Sequence, residues 1–176
     1  MRGLMMGRFQ PFHLGHLDLV KQILNECDEV IIAITSSQFN YLEKDPFTAG
    51  ERIEMIHNSL TESSIDLNKC FLIAIENQTN ISTWASYLKA SLPKFDRVYS
   101  GNEYVSMLLS DSDISVSNPD FLNRNDYNAT KIRSMIIHDE NWKDSVPNAV
   151  FEFLNKINAK NRLSVISKSD TNPTEH

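Results

Sequence analysis

The sequence predicts a doubly wound α/β domain, and three observations predict it. Strand-length apolar runs recur along the chain, each followed by residues at helical spacing. The strongest runs, 29–34 (EVIIAI) and 70–75 (CFLIAI), carry almost no polar alternation, as strands covered on both faces do. Three unusual polar segments then fall just after strand runs, where open parallel sheets bind their ligands: 7–16 (GRFQPFHLGH), 100–102 (SGN) and 123–133 (NRNDYNATKIR).

Taken in order, the first strand is short, 3–6 (GLMM), and is ended by Gly7. Leu17, Val20, Ile23 and Leu24 then share one helical face after Gly15. Strand 29–34 follows. The second helix is announced by Thr48, three residues before Glu51 at capping-box spacing, with Ile53, Ile56 and Leu60 facing inward. Beyond strand 70–75, Trp84, Tyr87 and Leu88 line a third helix. Weaker strand runs at 96–100 (DRVYS) and 113–117 (DISVS) flank a fourth, carried by Val105, Leu108 and Leu109. The stretch 128–157 reads as helices, with Asn128 an N-cap and Pro147 opening a new helix. One domain, 1–157, is therefore expected, followed by a polar and disordered tail at 158–176.

A chain of 176 residues with 41% hydrophobic content can bury a proper core. Its net charge of −6 provides no global basic field, so a nucleic-acid partner is not expected and an anionic ligand must be held by a local cluster of donors. The two cysteines, Cys27 and Cys70, lack metal-site spacing and read as buried free thiols. No apolar run is long enough for a membrane span or a signal peptide, and a cytoplasmic location is expected.

The segment 7–16 concentrates an arginine, two aromatics, a proline, two glycines and two histidines in ten positions. His13 and His16 lie about one turn apart at a helix start, where backbone amides favour an anion. Gly15 leaves room for a nucleotide to approach the backbone. Zinc is a poor alternative, because no further ligand set accompanies the pair. Thr130 and Arg133 share a face at a second helix start, and a hydroxyl, free amides and a guanidinium suit a triphosphate or pyrophosphate. The chain contains no GxxxxGK[ST], GxGxxG or GxSxG, so direct transfer aided by charge stabilisation fits better than covalent catalysis.

These segments resemble a known family. The loop 7–16 is similar to the nucleotidyltransferase loop with paired HxGH histidines, and 128–133 (NATKIR) resembles its Ser/Thr-and-Arg partner motif. Together with 45–52 (DPFTAGER) and 95–102 (FDRVYSGN), they resemble the archaeal nicotinamide-nucleotide adenylyltransferases over residues 2–157. The resemblance implies a five-stranded Rossmann-like domain and transfer of AMP from ATP to nicotinamide mononucleotide (NMN), giving NAD and pyrophosphate. It also implies Mg²⁺ dependence and a homo-oligomer, often a hexamer. Carried over, His13, His16 and Arg133 are the catalytic set. Gly7, Arg8, Phe9, Gly15, Lys44, Gly101, Asn102 and Thr130 would contact ATP, and Trp84 and Arg124 the mononucleotide.

Two positions depart from that pattern. Lys44 stands where the family has arginine, giving charge without a bidentate fork. Ile81 stands where it has asparagine, with Asn80 one position earlier. Relatives acting on flavin mononucleotide or phosphopantetheine carry an FDxxHxGH-like loop, and here Gln10 replaces that aspartate. A nucleotide-sensing module without catalysis is the alternative from another class.

Overall fold

The alternating pattern folds into five parallel strands: β1 (Arg2–Gly7), β2 (Glu29–Ile34), β3 (Cys70–Ala74), β4 (Arg97–Tyr99) and β5 (Ser115–Ser117). They lie in the order β3-β2-β1-β4-β5. The computed structural model describes residues 1–119 and 127–169. Within these lie helices α1 (Leu14–Glu26), α2 (Ala49–Glu62), α3 (Trp84–Ser91), α4 (Glu103–Leu109), α5 (Ala129–Ile137), α6 (Asn148–Lys156) and α7 (Ala159–Lys168). Among the described residues, no helix is long and apolar enough to cross a membrane.

The central strands are buried on both faces, and the two-residue period sorts their side chains. Met5, Val30, Ile32 and Ile34 join the core beneath α1, α2, α5, α6 and α7. Leu4, Ile31, Ala33 and Val98 join the opposite core, beneath α3 and α4. Strand order reverses at β1, so the crevice beyond the carboxyl ends of β1 and β4 is the switch point at which such sheets take ligands.

The expected caps are present. Thr48 Oγ1 accepts from the Glu51 N–H at 3.2 Å while the Glu51 carboxylate accepts from the Thr48 N–H at 2.9 Å. Asn128 Oδ1 accepts from the N–H groups of Thr130 and Lys131. Cys27 is a buried free thiol as expected, whereas Cys70, opening edge strand β3, is only partly buried.

The supposed tail differs from its reading. Residues 159–168 form α7, whose Ala159 and Leu163 are buried in the larger core. Two apolar residues four apart suffice to seat one face of a short helix, a signal that the polar composition of the segment hides. Residues 170–176 lie outside the described part.

Candidate active site

The loop after β1 turns sharply at Phe9, a non-glycine residue with φ of 53°. Its ring is buried beside Phe12 and meets the His16 ring edge-on, centroids 4.8 Å apart. Phe9, expected among the ATP contacts, holds its ring in the core against His16. The imidazoles of His13 and His16 stack with centroids 3.5 Å apart. His13 occupies the N-cap of α1, and its backbone N–H donates to His16 Nδ1 at 3.2 Å. That bond makes Nδ1 the acceptor of the neutral His16 ring and leaves the proton on Nε2.

Burial lowers the His13 pKa to about 4, and burial together with neighbouring His13 holds His16 well below the usual imidazole range. The pair is therefore neutral in the free site at neutral pH. An arriving anion opposes both effects. His13 Nδ1 is buried without a hydrogen-bond partner. A Cβ on Gly15 would lie 3.1 Å from Tyr127 Cβ and 3.3 Å from His13 Nδ1. Gly15 thus permits the close approach of the segment entering α5.

The two distant motifs meet. Arg133, only 8% exposed, donates from Nη1 to the Gln10 carbonyl at 2.8 Å, and its Nη2 reaches Thr130 Oγ1 at 3.4 Å. Gln10 in turn pairs through its side chain with both backbone groups of Phe47. Arg8 is half exposed, with Nη1 3.4 Å from the Lys44 carbonyl and 3.8 Å from Asp45 Oδ2. Lys44 is exposed, beside buried Asp45. Burial first, and then the like charge of Arg8, lower the pKa of Arg133. Cations held this close favour a polyanionic guest.

Beneath them lies Arg52, fully buried. Among the described residues its guanidinium donates to four main-chain carbonyls: Arg8 at 2.9 Å, Thr35 at 2.7 Å, Ser36 at 3.1 Å and Thr48 at 3.3 Å. Two of these carbonyls immediately precede Phe9 and Ser36, both in the left-handed region. Such residues cost on the order of 1 kcal/mol or more each and persist where surrounding bonds over-determine them. Sequence reading missed this clamp, although its signal exists. Arg52 shares helical spacing with Met55, Ile56 and Ser59, so an arginine sits on the apolar face of α2. Also missed was Arg162 of α7, which pairs bidentately with Glu51 at 2.6 and 2.8 Å and lies over the Tyr41 ring.

The expected contacts around β4 and α3 are more exposed. Gly101 and Asn102 follow β4, and Asn102 caps α4 by accepting from the Tyr104 N–H at 3.0 Å. Trp84 opens α3 and is partly buried against the smaller core. Ile81 is 48% exposed, and the neighbouring Asn80 Oδ1 accepts from the Ser82 N–H. Gly7 ends β1, close against the Phe9 ring. Arg124 lies outside the described residues.

Comparisons with known proteins agree with this arrangement. Residues 4–137 match the cytidylyltransferase-like family. The chain is 43% identical over 173 residues to the nicotinamide-nucleotide adenylyltransferase of Caldivirga maquilingensis, covering 98% of this chain and 97% of that one. It is 42% identical to the enzyme of the same name from Picrophilus torridus, covering 97% and 99%. In fold it is similar to a bifunctional NMN adenylyltransferase/ADP ribose pyrophosphatase from Francisella tularensis, complexed with AMP and a manganese ion. That similarity has a TM-score of 0.76 at 20% identity and covers 94% of this chain and 51% of that one. With its two motifs joined at one crevice and relatives matching over nearly its whole length, the chain belongs to the cytidylyltransferase-like family, among the archaeal nicotinamide-nucleotide adenylyltransferases.

Proposed function

We propose that the chain transfers AMP from ATP to NMN, giving NAD and pyrophosphate, by direct in-line displacement. The observation that carries this reading is the stacked His13–His16 pair at the start of α1, joined to Arg133 through the Gln10 carbonyl. A 5′-phosphate oxygen of the mononucleotide attacks the α-phosphorus of ATP, the bond to the bridging oxygen breaks, and pyrophosphate leaves with that electron pair. No covalent enzyme intermediate is needed. Rate comes from aligning two anions and stabilising charge on the pentavalent transition state.

In this reading His16 donates from Nε2 to an α-phosphate oxygen, its orientation held by the His13 N–H. His13 borders the same phosphate, and the anion draws both rings toward protonation. Arg133 keeps part of its fork on Gln10 and Thr130 and turns the rest to the β,γ-phosphates, with Arg8 and Lys44 nearby. Gly7 and Gly15 keep the loop close to the phosphates, Gly101 and Asn102 border the adenosine, and Trp84 and Arg124 serve the mononucleotide. Among the described residues, no group of three or more His, Cys, Asp or Glu could hold a metal. A divalent ion such as Mg²⁺ would enter with the ATP phosphates and would supply charge neutralisation for the departing pyrophosphate, beside Arg133, Arg8 and Lys44.

The deciding assay offers purified protein ATP and Mg²⁺ with NMN, flavin mononucleotide or phosphopantetheine in turn. NAD and pyrophosphate from NMN alone are expected. Turnover of another acceptor, or ATP binding without turnover, would overturn the reading.

A further inference from the structure

Gln10 is an amide in the core, 2% exposed, and a buried amide is costly unless every donor and acceptor finds a partner. Its partners belong to segments far away in the chain. Nε2 donates to the Phe47 carbonyl and Oε1 accepts from the Phe47 N–H, both at 2.9 Å. This closes a two-bond ring like one step of strand pairing. The main-chain carbonyl of the same residue accepts from Arg133 Nη1 at 2.8 Å. One residue thus touches three segments: the loop bearing His13 and His16, the stretch from Lys44 to the Thr48 cap, and α5.

We propose that Gln10 is the positioning residue that keeps the histidine pair, the Lys44–Phe47 segment and Arg133 in mutual register for adenylyl transfer; this rests on the function proposed above. The chemistry of the contact is selective. Closing both bonds to one peptide unit requires a donor and an acceptor side by side, which an amide supplies and a carboxylate does not. An aspartate at this position is also shorter by a methylene. The FDxxHxGH-like loop of the flavin and pantetheine relatives therefore cannot make this staple, and Gln10 separates the two loop types by what it ties together rather than by touching the acceptor. Phe47 itself is fully buried, so a shift of its backbone moves Asp45 and Lys44 just before it and Thr48 just after.

The test compares Gln10→Glu and Gln10→Met with the parent. Glutamate keeps the shape and the acceptor for the Phe47 N–H but sets an oxygen against the Phe47 carbonyl. Near pH 8, Gln10→Glu should lose about ten-fold or more in kcat/KM for ATP, part of it in KM for ATP, with KM for NMN little changed. As the pH falls toward about 6, its activity relative to the parent should rise, because a protonated carboxyl donates again. Gln10→Met should show the loss without the recovery, and the Phe47 amide should exchange faster in it than in the parent. A flat activity ratio across pH, a loss confined to kcat with both KM values unchanged, or an equally protected Phe47 amide in Gln10→Met would overturn the proposal. A parent chain that makes no NAD would instead sink the adenylyl-transfer reading. ATP affinity by titration calorimetry would then carry the same comparison among the three proteins.

Discussion

On the proposed phosphate side of the crevice, His13, Gln10, Asp45, Arg52 and Arg133 are all buried; Gln10, Arg52 and Arg133 bond across the fold, while His13 Nδ1 and Asp45 Oδ1 are left without a partner among the described residues. On the opposite side Trp84 is only partly buried, and Ile81 and Asn102 are exposed. Buried polar groups are held where the fold supplies their bonds, so the first side is largely locked by Gln10, Arg52 and Arg133; the exposed groups of the second carry no such demand. Both departures from the family pattern, Lys44 and Ile81, are exposed residues.

If the phosphate side is preorganised for the transition state, its histidine should matter more for rate than for binding. His16→Ala should lower kcat by about 10²–10³ while KM for ATP moves only a few-fold. Steady-state kinetics with ATP varied at saturating NMN measures both. A variant turning over at the parent rate would break the contrast between the two sides at its strongest point.

Arg133 tests the same side through binding. Arg133→Ala removes the charge proposed to meet the phosphates and leaves the buried Gln10 carbonyl without its guanidinium. ATP affinity should fall by about 10²-fold, as for loss of a charge-assisted bond with a stranded acceptor. Calorimetric titration with ATP reads this directly, and unchanged affinity would take Arg133 out of the triphosphate site.

How much of this was legible in the sequence follows the same division. The strands and helices were readable because apolar spacing is local, as in 29–34 or in Leu17, Val20 and Ile23. The histidine pair, Thr130 and Arg133 were readable because each motif is crowded into a few residues. The clamps were not. Gln10 finds Phe47 at a separation of 37 residues, and Arg162 finds Glu51 at 111. Neither partner is marked by periodicity, since a single long-range bond leaves no repeat in the sequence. Arg52 lies between these cases: its place on an apolar helix face is a local anomaly, but the carbonyls that solvate it are set by the turns at Phe9 and Ser36.

Burying neutral histidines on the locked side has a consequence for stability. His13 titrates at about 4 when folded, against an ordinary value of 6.5. Between those values the unfolded chain binds the extra proton, so stability rises with pH. The contribution is present in full above about pH 6.5 and is lost as the pH falls toward about 4, by about 3 kcal/mol. Denaturant melts of the parent and His13→Gln across this range should show a flatter pH dependence in the variant. Parallel curves would mean that the ring is solvated and that the phosphate side is less closed than its packing indicates.

The smallest effect belongs to the exposed side. Trp84→Ala removes a ring from the start of α3, where it is partly buried against the smaller core and is proposed to wall the nicotinamide. Ring stacking contributes about 0.5–1.5 kcal/mol, so KM for NMN should rise about 2- to 10-fold with kcat and KM for ATP nearly unchanged. Trp84→Phe should recover most of that loss, because a stacking surface needs a ring and little else. Were Trp84→Ala instead to lower kcat as far as His16→Ala does, the nicotinamide side would share in aligning the reacting atoms. The crevice would then be preorganised across its whole width, and its exposure in the free chain would say nothing about its part in the chemistry.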